Sequence, residues 1–387
     1  MEKIVGCLIN ILVKESFLMG HLTHDKDEVY RLLAERLNKN PVGAPINETL
    51  MAILHRLYTE SEALVGSKFP LLPMTLEQIA GITGISADQL KTILDGMADK
   101  GLILDIPRKD TFYYMLAPMV VGFFEYTFMR VRDDVNLKDL AELFQTYFHK
   151  KEVREEFAGS DTKIMRTLVY ESLIPLAVET EVLTYERAGE IIRQSGGGAI
   201  SICPCRHKAT HLGKACGAPL EVCTSLGSAA EWVIRRGMGK PATVDDLLRV
   251  LDETEKLGLV HNCDNVMNKP AYMCHCCGCC CVILTGIKEF GQYATHPSNF
   301  IPVLEAETCM GCGTCADSCH IRAITMHDEG NGTEVPVVNK EICIGCGVCA
   351  SACPTGALTM NRRPVLHIPP DNTKEKLIRT AMEKGRI

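Results

Sequence analysis

Two cysteine runs constrain the last quarter of the chain more tightly than anything else in it. Cys309-x-x-Cys312-x-x-Cys315-x-x-x-Cys319 is repeated, a short hairpin's length later, as Cys343-x-x-Cys346-x-x-Cys349-x-x-x-Cys353-Pro354. Three thiols packed so closely require a backbone that curls around what they bind, because successive side chains of a helix or strand diverge. Gly311, Gly313, Gly345 and Gly347 let such loops approach a ligand and lend it their N–H groups. Residues 323–326 and 357–360 read as matching short strands, one after each run, as an internal duplication requires.

This spacing resembles that of bacterial ferredoxins carrying two [4Fe–4S] clusters. The resemblance implies that Cys309, Cys312, Cys315 and Cys353 hold one cluster. Cys343, Cys346, Cys349 and Cys319 then hold the other, each fourth ligand coming from the opposite run. Zinc also takes Cys-x-x-Cys pairs, but two such quartets in succession argue against it. His320 stands where the first run usually carries proline, so a titratable donor could sit beside one cluster and alter its potential.

At 387 residues the chain is too long for that region alone and suggests two or three domains. With 46% apolar and 23% charged residues its composition is that of an ordinary globular protein. Nearly all of the net charge of −7 falls before Ser201. Of 20 cysteines, 19 lie beyond residue 200, many as Cys-x-Cys or Cys-Cys neighbours, which are awkward for disulfides and natural for metal. A reducing, oxygen-poor cytoplasm is therefore expected. The apolar run at 4–13 is short, broken by Asn10, and lacks a small-residue cleavage site, unlike a signal peptide. No stretch approaches the ~20 apolar residues that span a bilayer.

The expected fold is α+β and multidomain: a mainly α N-terminal half with a winged helix-turn-helix, a cysteine-rich middle, and a ferredoxin-like C-terminal domain. The divisions are N-terminal helices at 1–45, a winged-helix-like domain at 46–131 and a helical connector at 132–198. A metal-binding domain at 199–300, the ferredoxin-like domain at 301–361 and a basic tail at 362–387 follow. Ile4, Val5, Leu8, Ile11 and Leu12 make an apolar stripe suited to a core or dimer helix. Thr75 with Gln78, and Ser86 with Gln89, read as capping boxes of successive helices, and Gly101 as the end of the second. Leu90, Ile93, Leu94 and Met97 form its buried face, and a hairpin turning at 107–110 would be the wing. This pattern resembles the winged-helix domains of transcriptional regulators. The candidate recognition helix carries Asp88, Asp95 and Asp99 against Lys91 and Lys100, so protein docking is favoured over DNA. Phe124, Phe128, Phe144 and Phe148 read as core.

The middle of the chain adds Cys203-Pro204-Cys205-Arg206, Cys216 and Cys223, then Cys263 and the run Cys274, Cys276, Cys277, Cys279, Cys280 and Cys281. Cys203, Cys205, Cys216 and Cys223 make one possible quartet, and the later run another. Read as a helix, that run would aim Cys277, Cys280 and Cys281 together and leave Cys276 and Cys279 elsewhere. Two further [4Fe–4S] clusters are possible, as is one with ligands from both segments and spare thiols. His207, His211, His261 and His275 keep zinc as the alternative. Arg206 and Lys208 would offset the charge of a thiolate-bound cluster. Cys203-Pro204-Cys205-Arg206, Gly258-Leu259-Val260-His261 and the later run together resemble a group of anaerobe ferredoxin-type proteins, over about residues 183–361. That resemblance implies electron transfer.

The expected function is a relay of low-potential electrons to or from a partner oxidoreductase, the chain being an electron-transfer protein or oxidoreductase subunit. The alternatives are a redox-sensing transcriptional regulator using the winged helix, and an iron–sulfur enzyme with its site at the middle cysteines. No nucleophile–base pair, nucleotide loop or flavin motif is evident. Expected partners are redox proteins and a second copy through the N-terminal helices, with neither DNA nor a membrane span. Arg362, Arg363, Lys374, Lys376, Arg379, Lys384 and Arg386 make the tail basic, as a solvated helix or an arm for an acidic partner.

Overall fold

The computed structural model describes residues 26–328 and 334–387. The apolar stripe at residues 4–12, and the dimer helix expected there, lie outside the described residues. Helix starts follow the capping chemistry in part. Thr75 Oγ1 accepts from the Gln78 N–H at 3.4 Å and Gln78 Oε1 from the Thr75 N–H at 3.0 Å, opening helix Leu76–Thr83. Ser86 does not repeat this. Its hydroxyl bonds Gln89 Oε1 instead, and helix Ala87–Lys100 begins without a side-chain cap. Leu90, Leu94 and Met97 share one core with Leu33, Leu50, Ile53, Leu54, Phe124, Phe128, Phe144 and Phe148, while Ile93 lies at its margin.

Strands β1 (Met74–Thr75), β2 (Ile103–Arg108) and β3 (Thr111–Leu116) form an antiparallel sheet in the order β1-β3-β2. Pro107 pairs with Phe112 and Arg108 with Thr111, so only Lys109 and Asp110 turn, fewer than the four residues expected.

A seven-stranded sheet carries the middle of the chain. It comprises β4 (Met165–Thr167), β5 (Gly198–Ile202), β6 (Glu221–Leu226), β7 (Lys240–Ala242), β8 (Val260–Asp264), β9 (Tyr272–Cys276) and β10 (Thr295–His296). Their order is β10-β4-β8-β9-β6-β5-β7, antiparallel except for β10 with β4. Helix Val244–Lys256, opened by a Thr243–Asp246 capping box, lays Leu247 and Leu251 against it. The ferredoxin-like region pairs β11 (Phe300–Leu304) with β14 (Leu358–Arg362) and β12 (Ile324–Asp328) with β13 (Glu334–Val338). Among the described residues no helix is long and apolar enough to cross a membrane.

One ionic cluster joins the N-terminal sheet to the middle domain. Asp105 of β2, 3% exposed, accepts from Trp232 Nε1 at 2.8 Å and from Arg236 Nη2 at 2.7 Å, with Arg235 at 3.2 Å. Arg236 also meets Asp99 at 2.7 Å and Asp95 at 3.8 Å, so the acidic face of helix Ala87–Lys100 turns toward the chain's own arginine. Burial alone would raise the Asp105 carboxyl, but Arg236, Trp232 and Arg235 hold it below its usual range. Asp105→Ala leaves the half-buried Arg236 with only Asp99 and Asp95 and strips Trp232 Nε1 of its acceptor, and is expected to cost about 1–3 kcal/mol in urea unfolding at pH 7. Because the folded value is depressed, this contribution is complete above about pH 4 and fades as pH falls through the folded value. The acid limb of the stability profile should be shallower in the variant.

The basic tail packs back on the chain. Arg362 meets Glu186 at 3.2 Å, and Lys376 of helix Thr373–Glu383 pairs with the buried Asp264. Lys384 and Arg386 both meet Glu156 at 2.7 Å, and Arg386 also donates to the carbonyls of Asn40 and Pro41. Arg362, Lys376, Lys384 and Arg386 thus tie the tail across the fold, while Lys374 and Arg379 stay exposed.

Candidate metal centres

Cys309, Cys312, Cys315 and Cys353 line one cavity, and Cys319, Cys343, Cys346 and Cys349 line another. The loops need their glycines. Gly345 has φ 68°, and a Cβ there would lie 2.0 Å from the Phe300 carbonyl oxygen. The two quartets differ in burial: Cys312 is exposed, whereas no member of the second quartet is. Thr314 lies 3.3 Å from Cys312 Sγ, and its hydroxyl and N–H draw that thiol below its ordinary value. Burial acts oppositely on Cys346, pushing its thiol up to about 12.

The middle cysteines do not divide by segment. The run from 272 to 281 is a strand, a turn and a helix start rather than a helix: β9 ends at Cys276 and Cys281 caps helix Val282–Phe290. Cross-strand pairing with β8 and β6 takes the first half, so Cys274 and Cys276, two apart, face one side of the sheet. The β6–β9 register sets Cys223 beside Cys274, and their thiols are in hydrogen-bonding reach. Cys276 reaches Cys281, Cys281 reaches Cys205, and Cys203 lies between Cys205 and Cys223. Six sulfurs, from Cys203, Cys205, Cys223, Cys274, Cys276 and Cys281, thus close a ring with no exposed member.

Cys216, Cys277, Cys279 and Cys280 make a second, tighter group. Their sulfurs all lie within 4.8 Å of one another, with 3.6 Å between Cys216 and Cys277 and between Cys279 and Cys280. The helical expectation for Cys277, Cys280 and Cys281 therefore fails at Cys281, which belongs to the ring, while Cys279 joins Cys277 and Cys280. Hydrogen bonds from neighbouring thiols act unequally within each group. Cys276 is lowered by Cys274 and Cys281, and Cys277 is lowered by Cys280 and then by Arg206.

Arg206, 1% exposed, stands between the two groups. It donates to the Pro219 carbonyl at 2.5 Å, lies 3.5 Å from Cys277 Sγ, and faces the Cys203 thiol electrostatically. Its Nε and Ser201 Oγ are buried with no hydrogen-bond partner. Asn262, which sequence reasoning passed over, lies beside Cys276 and could have been noticed as a polar residue in a buried strand. Orphaned donors bordering a thiol ring fit sulfide acceptors, which is the chemistry an iron–sulfur cluster offers.

The histidines stand outside both groups. His261 and His275 lie near Thr254 Oγ1 at 3.3 and 3.0 Å, and burial lowers both. His207 bonds the Phe128 carbonyl through Nδ1 at 2.8 Å and lies 3.2 Å from His211. His320 joins the two halves of the site. Its Nδ1 accepts from the Gly278 N–H at 3.2 Å and its Nε2 donates to the Gly258 carbonyl at 2.7 Å. A Cβ at Gly278 would lie 2.3 Å from the His320 carbonyl oxygen, so only glycine lets the cysteine turn come this close.

No curated protein and no solved structure is significantly similar to the chain. Residues 308–357, which contain the first two quartets, match the family model of the 4Fe-4S dicluster domain, and an iron–sulfur domain is present here beside a cysteine-rich region.

Proposed function

We propose that the chain relays single electrons between a partner protein beside the exposed Cys312 and a buried iron–sulfur centre at the six-thiol ring. Cys309, Cys312, Cys315 and Cys353 would hold one [4Fe–4S] cluster, and Cys319, Cys343, Cys346 and Cys349 a second. The ring would hold a third iron–sulfur cluster. The four-sulfur group suits one ion better, because metal–sulfur bonds of about 2.3 Å in a tetrahedron set sulfurs about 3.8 Å apart. When bound, the clusters supply one-electron chemistry at potentials set by thiolate charge, burial and hydrogen bonding.

One observation carries the relay. Cys274, Cys276 and Cys281 of the ring pack in one buried cluster with Cys319, Cys343 and Cys346. Cys319 continues into the next with Cys315, Cys349 and Cys353. A continuous packed path therefore runs from the exposed Cys312 side to the interior. The N-terminal helices and the β1–β3 sheet read as a winged helix that docks on the chain's own middle domain. Arg236 against Asp95 and Asp99 supports that role over a regulator's DNA contact. A reducing cytoplasm suits so many free thiols.

Iron, acid-labile sulfide and zinc should be measured on protein purified without oxygen. About twelve irons are expected, with about one zinc or one further iron. About eight irons would leave the ring without a cluster and remove the buried terminus of the relay.

A further inference from the structure

Beside the four-sulfur group a cavity of about 260 Å³ opens between helices Leu137–His149, Lys151–Ala158, Pro204–His211 and Val282–Phe290. Cys279 and Cys280 form one wall and the rings of Phe148, Phe157 and Phe290 another. The volume falls just below the ~300–1,000 Å³ usual for small-molecule pockets, so the occupant is small.

Its charges are unbalanced. Arg154, Lys208 and Lys214 line it, and among the described residues none of them is ion-paired with a carboxylate. The Arg154 guanidinium lies 3.6 Å from the Phe290 ring centroid, and its Nε is buried without a hydrogen-bond partner. Lys208 Nζ donates to the neutral Gln145 Oε1 at 2.6 Å and faces the Cys205, Cys281 and Cys280 thiols, which leaves Arg154 and Lys214 as the uncompensated cations. The one lining carboxylate, Glu289, lies toward His149 at 3.8 Å. Arg236 is matched by Asp99 and Asp105 and Arg132 by Asp134, whereas Arg154 has no such carboxylate. Unmatched cations in a concave, ring-walled site concentrate anions, and a planar guanidinium with a free edge favours a carboxylate.

The geometry points to a binding site for a small organic carboxylate with an apolar body, its acid group at Arg154 and Lys214 and its body against Phe148 and Phe290. The site goes beyond the relay and does not depend on it, because iron content tests one and ligand binding the other.

Calorimetric titration of the metal-loaded protein with benzoate, benzyl alcohol and inorganic phosphate separates the possibilities. Benzoate should bind saturably, and benzyl alcohol, the same ring without the charge, at least tenfold more weakly. Arg154→Gln should weaken benzoate at least tenfold. Lys214→Gln, at an exposed position that leaves the fold intact, should weaken it about threefold. No saturable benzoate binding by the wild-type protein would overturn the proposal. So would phosphate binding as tightly as benzoate, or unchanged benzoate affinity in both variants.

Discussion

Cys353→Ala combined with Cys312→Ala should remove no more iron than either substitution alone. Both thiols line the same cavity although they come from different cysteine runs. If they serve one cluster, losing the first already opens it, and the second change finds nothing further to break. The single variants and this double variant should each lose up to about four irons per chain. Cys353→Ala combined with Cys346→Ala strikes both cavities, and about eight irons should go. Additivity is the diagnostic, since independent sites add and shared sites do not. If each run instead held its own cluster, the two double variants would exchange results. Cys312 is exposed and Cys346 is not, so the Cys312 variant should also leave the rest of the fold least disturbed.

The difference between the cysteine runs and the middle cysteines is a difference between local and non-local information. In Cys309-x-x-Cys312-x-x-Cys315 the backbone between the thiols brings them together, so spacing is informative. Cys223 and Cys274 meet because β6 pairs with β9 in one register, and nothing in the intervening fifty or so residues announces that pairing. The seven-stranded sheet is obscure for a related reason. Val260, His261, Asn262, Cys263 and Asp264 are all buried in β8, yet only two of the five are apolar, so the strand shows neither alternation nor a continuous apolar run. A partial signal did exist. Cys274-His275-Cys276 sets two thiols two residues apart, a strand's period, and taking it as such would have separated Cys276 from Cys277.

In the N-terminal half, helix caps and turn glycines are local, and Thr75, Gly101 and Thr243 act where the sequence places them. What they cannot show is where a helix docks. Asp95 and Asp99 read as an exposed acidic face until Arg236, more than a hundred residues away, is placed against them. The tail is similar: its cations are obvious, but Glu156, Glu186 and Asp264 become their partners only in the fold.

If the six-thiol ring holds the proposed cluster, Arg206→Gln should lower its reduction potential by about 100 mV. Arg206 is a buried cation held between two thiol groups, with Cys203 on one side and Cys277 on the other. Unit charges about 7 Å apart in an effective dielectric of about 20 interact by about 2.4 kcal/mol, or about 100 mV for a one-electron couple. The positive charge favours the reduced, more negative cluster, so removing it makes reduction harder. Glutamine keeps an amide for the Pro219 carbonyl, which limits the structural damage. Arg206→Lys tests whether charge or hydrogen bonding matters. Lysine retains the charge but loses the planar fork that spans Pro219, His275 and Cys277. It should therefore keep the potential to within about 30 mV while losing stability. Redox titration of each variant, followed by its EPR signal and paired with its iron content, separates these effects. An intact cluster with an unchanged potential in Arg206→Gln would show that the ring's charge is balanced elsewhere, and Lys208, itself 3% exposed on the same helix, would be the next residue to neutralise.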